Sequence, residues 1–561
     1  MSDDRTPVLE MRDLTVDFLS GSGAFRATHE IGFHVHRGET LAILGESGSG
    51  KSVSAGAIMG LIDQPPGDIR SGTILFQGRD VAAMSERERR DLNGRKIAMI
   101  FQDPLAHLNP VYTIGWQLAE VFRVHGATPK GEMRARVVEL LERVGIPDPA
   151  SRIDQYPHQF SGGQRQRIMI AMAIALHPEV LIADEPTTAL DVSVQKQILE
   201  LLKKLQAEEG MALVLITHDL AVAANMADRV IVMNGGRIVE AGEARSVFGQ
   251  PQHDYTRKLM AALPHDAGLS STHRKATAAA TDTLLQVRGL TKRYDLKGGL
   301  FGKDRSVLAV DGIGFEVAAG ETVGIVGESG SGKSTVARML MRLNEPTSGE
   351  ALYRGQNVFA MDERALLAYR RKVQMVFQDP YSSMNPRMSV ASIIAEPWRI
   401  HGDILPKERW RDRIAELLEL VHLKREHADR YPHQFSGGQR QRIAIARALA
   451  CEPELLICDE AVSALDVSIQ VQVIDLLADL RDRLGLAYIF ITHDLPIVRH
   501  FADRLVVMRN GRIVEQAATE DLFNAPKDDY TRTLLNATPT PKWQAASGTR
   551  LDVTSAELAR P

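Results

Sequence analysis

The chain has 561 residues, 44% apolar and 25% charged, with a formal net charge of −4 at pH 7. That length exceeds a single hydrophobic core and requires several domains, while the charge excludes coating of nucleic acid by bulk electrostatics, leaving room for a local basic patch. Two cysteines, Cys451 and Cys458, exclude a disulfide scaffold or a four-thiolate metal site, and the polar start of the chain is no secretory signal.

In chain order, residues 39–44 (ETLAIL) form a short apolar run that ends in a Gly-rich loop, with a helix pattern from Lys51. Residues 132–144 place Val137, Val138, Leu140, Leu141 and Val144 on one helical face. Ser161 caps a strongly helical stretch, and 180–183 and 212–217 are buried-strand candidates. Strands alternating with helices predict an α/β fold with a mostly parallel sheet. The most apolar stretches, 169–176 and 213–216, fall short of the roughly 20 residues that span a bilayer. A soluble, cytosolic chain is expected, any membrane part coming from another protein.

The chain then repeats itself. GESGSGKS stands at 45–52 and 327–334, FQDP at 101–104 and 377–380, and YPHQFSGGQRQRI at 156–168 and 431–443. DE followed by ALDVS spans 184–193 and 459–468, and ITHDL closes each series at 216–220 and 491–495. The order is the same in both halves, so two homologous domains are expected at 6–264 and 284–540. An Ala/Ser/Thr-rich linker lies at 265–283 and a polar tail at 541–561.

Each motif carries chemistry. The glycines of G-x-x-x-x-G-K-S turn backbone N–H groups toward a phosphate chain, and the following helix adds its positive end. Phosphates would lie on Gly45, Ser47, Gly48, Gly50, Lys51, Ser52 and Val53, and in the second copy on Gly327, Ser329, Gly330, Gly332, Lys333, Ser334 and Thr335. The two lysines would reach the β- and γ-phosphates, and the Ser52 and Ser334 hydroxyls would bind Mg²⁺. Asp184 and Asp459 end apolar runs (VLIA, LLIC) where a carboxylate can hold Mg²⁺ through water, and Glu185 and Glu460 can polarise the attacking water. Ser161, Gly162, Gly163 and Gln164, with Ser436, Gly437, Gly438 and Gln439, read as capped helix starts whose glycines admit a phosphate.

With SGGQ between a phosphate loop and DE-x-x-x-ALD, the chain resembles the tandem ATP-binding subunits of ABC transporters over nearly all of its length outside linker and tail. The resemblance implies two RecA-like α/β cores, each with an antiparallel β subdomain and a helical subdomain. It implies that Gln102 and Gln378 touch Mg²⁺ and the membrane partner, that Asp191 and Asp466 are D-loop residues, and that His218 and His493 contact the γ-phosphate. Phe18 and Tyr294 fall where the family stacks an aromatic ring on adenine; packing is the competing reading. It further implies head-to-tail pairing, Lys51 sharing ATP with residues 436–439 and Lys333 with 161–164. Both halves keep Lys, Ser, Gln, Asp, Glu and His, so both are expected to hydrolyse ATP. Pro186-Thr187-Thr188 becomes Ala461-Val462-Ser463 without loss of a catalytic group.

The segments PQHDYTRKLMAALP at 251–264 and APKDDYTRTLLNATP at 525–539, with the insert at 296–313, resemble the oligopeptide/dipeptide/nickel import subfamily. That resemblance implies peptide-like cargo, two permease chains, a solute-binding protein and a place on the cytoplasmic face of the inner membrane. The lobes at 104–155 and 380–430 would receive the permease, through 105–111 and 381–388. No nucleic acid and no iron–sulfur cluster are expected, since no cysteine follows Cys458. The competing expectation is a soluble tandem ABC ATPase acting on ribosomes or DNA.

Overall fold

The computed structural model describes residues 6–20, 23–126, 128–129, 131–188, 190–261, 282–296, 305–463 and 465–538. The expected tail at 541–561, nearly all of the linker and part of the insert lie outside these residues. The chain divides into two compact units, the first holding most of the described residues up to 261 and the second most of those from 282 onward.

In the first unit a six-stranded sheet runs Arg237–Glu243, Arg229–Asn234, Thr40–Leu44, Ala212–Thr217, Val180–Asp184, Ile97–Ile100. All neighbours are parallel except the antiparallel edge pair Arg237–Glu243 and Arg229–Asn234. The three central strands are buried at every position, which is why they read as continuous apolar runs without alternation. Leu44 lies beside Thr217, and Asp184 beside Ile216. The loop after Thr40–Leu44, the DE pair and His218 therefore emerge together at the carboxyl ends of the strands, where open α/β sheets place their ligands.

A second, antiparallel sheet runs Gly23–Val35, Leu9–Ser20, Gly67–Phe76, Arg79–Asp80. Its inner face packs through Leu9, Met11, Leu14, Val16, Ile31 and Phe33 on the helix Lys51–Met59 and the parallel sheet. A helical region of Ile114–Val124 and Met133–Arg143 shares a core with Gly162–Ile174, through Leu118, Phe122, Val137, Leu140 and Leu141. Of the expected apolar face, Val138 is only half-buried.

The second unit repeats this plan. Its six-stranded sheet runs Val373–Val376, Leu455–Asp459, Ala487–Thr492, Thr322–Val326, Arg504–Arg509, Arg512–Ala518, again parallel up to an antiparallel edge. Its antiparallel sheet runs Arg305–Ala318, Thr283–Leu296, Ser348–Tyr353, Gln356–Asn357. In its helical region Trp398 is buried and its indole N–H donates to the Ala450 carbonyl at 2.8 Å. The α/β core, antiparallel sheet and helical region expected for each half are all present.

Candidate functional site

Each phosphate-loop motif links a buried strand to a helix, Lys51–Met59 or Lys333–Leu340. Gly50 has φ 99°, and a Cβ there would sit 2.6 Å from the Ala27 carbonyl oxygen, so both backbone angle and space demand glycine. Gly332 repeats this against Ala309. Ser47, Gly48, Ser329 and Gly330 are exposed at the loop tips, and Gly48 and Gly330 have open space where a side chain would be. Val53 packs against the core of its unit, and Thr335 is half-buried.

Lys51 is buried, its ammonium donating to the carbonyls of Gly45 at 2.7 Å and Glu46 at 2.8 Å. Lys333 donates to Gly327 at 2.7 Å and Glu328 at 3.0 Å, and burial pulls its pKa below the ordinary lysine value. Ser52 Oγ donates to Asp184 Oδ1 at 3.1 Å, and Ser334 Oγ to Asp459 Oδ1 at 2.9 Å. Burial pushes both aspartates above the usual carboxylate range, against the hydroxyl hydrogen bond. A hydroxyl hydrogen-bonded to a buried carboxylate forms a hard oxygen donor set of the kind Mg²⁺ takes. Among the described residues no group of three His, Cys, Asp or Glu could hold a metal by itself.

Glu185 and Glu460 have left-handed backbones, φ 47° and 48°. Each begins the turn that leaves its strand, its N–H donating at 2.9 Å to the carbonyl of Ile216 or Ile491. Gln102 Nε2 donates to Glu185 Oε2 at 2.7 Å, and His218 Nδ1 lies 3.2 Å from Oε1. Gln378 meets Glu460 at the same 2.7 Å, while His493 Nδ1 stands 3.7 Å away. Burial works to raise Glu185, but its histidine partner holds it below the ordinary value. Glu460 is held low by His493, against burial. Burial would lower His493, and pairing with Glu460 raises it instead.

The halves also differ at a hydroxyl contact. Thr188 Oγ1 donates to the Glu185 carboxylate at 2.9 Å, whereas the equivalent Ser463 hydroxyl donates to the main-chain carbonyl of Glu460, also at 2.9 Å. Sequence reasoning placed no role on Thr188; the Thr-for-Ser difference was its only trace.

Ser161 and Ser436 cap the helices Gly162–Ile174 and Gly437–Leu449. Gln164 and Gln439 complete capping boxes by accepting from the serine N–H, both at 3.2 Å. The second glycine has a reason the sequence did not reveal. A Cβ on Gly163 would run into Val194 Cγ1, and one on Gly438 into Ile469 Cγ2, both well inside 3.0 Å. Gly162 and Gly437 meet only ordinary contacts. Asp466 stands at the N-cap of the helix Val467–Leu484.

Phe18 is half-buried, pairs across the sheet with Phe25 and Gly67, and packs against the core of its unit. Tyr294 accepts from Asn344 Nδ2 at 2.9 Å, with the Lys292 ammonium 5.0 Å from its ring centroid. Cys451 and Cys458 are buried thiols; burial pushes Cys451 up to about 11 and Cys458 further still.

The ABC transporter family matches residues 28–188 and 310–463, and the oligopeptide/dipeptide transporter C-terminal region matches residues 239–284 and 514–559. The glutathione import ATP-binding protein GsiA of Escherichia coli (strain K12) is 46% identical over 558 residues, 95% of this chain and 89% of that protein. Its counterpart in Salmonella paratyphi A is 45% identical over 562 residues, 96% of this chain and 90% of that one. The chain is a tandem ABC transporter ATPase. A solved dimeric ATP-binding cassette with bound ADP and Pi covers 42% of the chain and 98% of its own at 30% identity, with a TM-score of 0.38. As an ABC import ATPase of the peptide-importer group, the chain binds and hydrolyses ATP and serves permease components at a membrane. No helix among its described residues is long and apolar enough to cross one. The competing expectation of an ABC ATPase for ribosomes or DNA finds no support.

Proposed function

We propose that this ABC ATPase drives uptake of glutathione or a peptide-like solute of similar size, through two permease chains fed by a solute-binding protein, from the cytoplasmic face of the inner membrane. The observation that carries the cargo class is the match to glutathione import ATPases over 95% of the chain, together with the oligopeptide/dipeptide transporter C-terminal region found in both halves.

Each half has a complete hydrolytic set. When bound, Mg²⁺ offsets charge on the β- and γ-phosphates. Ser52 and Asp184, with Ser334 and Asp459, would hold it, directly or through water, aided by the amide oxygens of Gln102 and Gln378. Lys51 and Lys333 exchange loop carbonyls for phosphate oxygens. Glu185 and Glu460, ionised at neutral pH, take the proton of the attacking water. Gln102 and His218, like Gln378 and His493, orient that carboxylate, and the histidines face the γ-phosphate. Leu105, Val111, Tyr112 and Trp116 of the first helical region, and Tyr381 of the second, are exposed apolar side chains that would meet the permeases.

The test is reconstitution with the permeases in lipid vesicles. ATP turnover should rise when the solute-binding protein carries glutathione. Glu185→Gln and Glu460→Gln together should lower turnover by about 10²–10⁴, and each alone should cut it substantially. Stimulation by an unrelated solute alone would redirect the cargo reading; one single variant with undiminished turnover would show that its half does not hydrolyse.

A further inference from the structure

The segment after each cassette touches the phosphate loop. The Tyr255 hydroxyl, on the helix Asp254–Ala261, accepts the Glu46 N–H at 3.2 Å, and the Tyr530 hydroxyl, on Asp529–Ala537, accepts the Glu328 N–H at 3.1 Å. Glu46 and Glu328 are the second residues of the two GESGSGKS loops. Each glutamate is held at its carbonyl as well. The Glu46 carbonyl accepts from Lys51 Nζ at 2.8 Å and from Ser49 N–H at 3.2 Å. The Glu328 carbonyl accepts from Lys333 Nζ at 3.0 Å and from Ser331 N–H at 3.1 Å. One residue thus joins the phosphate-binding lysine to the tyrosine of the following segment.

The tyrosine is itself fixed by a clamp that recurs with different residues. The Glu240 carboxylate accepts the N–H groups of Gln252 at 2.8 Å and His253 at 3.1 Å. Glu515 accepts those of Lys527 at 2.8 Å and Asp528 at 3.1 Å. Because the clamped groups are main-chain N–H, the geometry survives the exchange of Gln-His for Lys-Asp. In the second unit the Arg509 guanidinium also lies 4.7 Å from the Tyr530 ring centroid. A loop with three left-handed glycines loses much conformational entropy when it wraps a phosphate chain. An outside anchor on its second residue removes part of that cost beforehand.

We propose that Tyr255 and Tyr530 are positioning residues of the two phosphate loops, by which the segment following each cassette sets the affinity of that half for ATP. The proposal rests on the reading of these loops as ATP sites and adds to it a role for the segments. The tyrosines act through Glu46 and Glu328, whose N–H groups they accept.

The experiment uses the full chain and MgATP, with Tyr255→Phe, Tyr530→Phe and the double variant. Phenylalanine keeps the ring and removes only the hydroxyl. Calorimetric titration and steady-state hydrolysis should show Kd and KM for ATP raised about three- to tenfold, with kcat at saturating ATP and the melting temperature unchanged. Each single variant should give two affinities, one of them that of the parent chain. The Glu46 and Glu328 amides should exchange with deuterium faster in the corresponding variant. Unchanged Kd and KM would overturn the proposal; so would a fall in kcat and melting temperature with KM held, the signature of a merely structural helix. Lys51→Ala with Lys333→Ala provides the control: if that chain still binds MgATP as the parent does, the ATP-site reading itself fails, independently of the tyrosines.

Discussion

Gly163→Ala tests whether the second glycine of the SGGQ turn is required by packing within its own half. Gly163 is not in a left-handed conformation, and alanine is the better helix former by up to about 1 kcal/mol. Backbone preference alone therefore predicts a gain. Against it stands Val194 Cγ1, well inside 3.0 Å of the new methyl. Overpacking of this kind costs about 1–3 kcal/mol, and set against a helix gain of up to about 1 kcal/mol it leaves a net loss of up to about 2 kcal/mol. Near the melting point that is a few degrees, at roughly 2–4 °C per kcal/mol for a domain of this size. The decisive comparison is in the Val194→Ala background, which deletes the obstructing methyl and leaves Val194 Cβ at an ordinary 3.6 Å. There the same Gly163→Ala change should reverse sign and stabilise. Thermal melts of the parent, both single variants and the double variant close the cycle. If Gly163→Ala does not destabilise the parent, or the double variant is no more stable than Val194→Ala alone, the packing explanation is wrong.

Two further outcomes are expected. Raised in the folded chain by Glu460, His493 adds stability that is fully present below its unfolded pKa of about 6.5 and is lost as pH rises through the folded value. The melting difference between parent and His493→Gln should therefore shrink from pH 6 to pH 8; a difference that grows over that interval would contradict the assignment. Both thiols are buried and shifted upward, so a thiol reagent at pH 8 should modify none in the native protein and two after denaturation.

Much of this architecture was legible in the sequence because buried parallel strands announce themselves as unbroken apolar runs. The stretch at 212–217 appears in the structure with the same bounds, and 180–183 gains only Asp184. The residues proposed for hydrolysis stood out for a related reason: each lies at the end of a parallel strand or in the loop after it. What stayed hidden were contacts between distant positions. Tyr255 and Glu46 are 209 residues apart, and nothing local to either marks the hydrogen bond between them. The glycines of SGGQ pointed to phosphate on chemical grounds, yet Gly163 is constrained by Val194, a neighbour that becomes one only after folding. Thr188 looked like a conservative partner of Ser463, although the two hydroxyls choose different oxygens.

The left-handed backbone at Glu185 and Glu460 sets heat resistance against turnover at these two positions. A side chain with a Cβ pays roughly 1–2 kcal/mol to adopt that conformation, and glycine is spared it. A library of this chain sorted only for survival on heating should accumulate glycine at 185 and 460. The same library sorted for phosphate release should return glutamate at both.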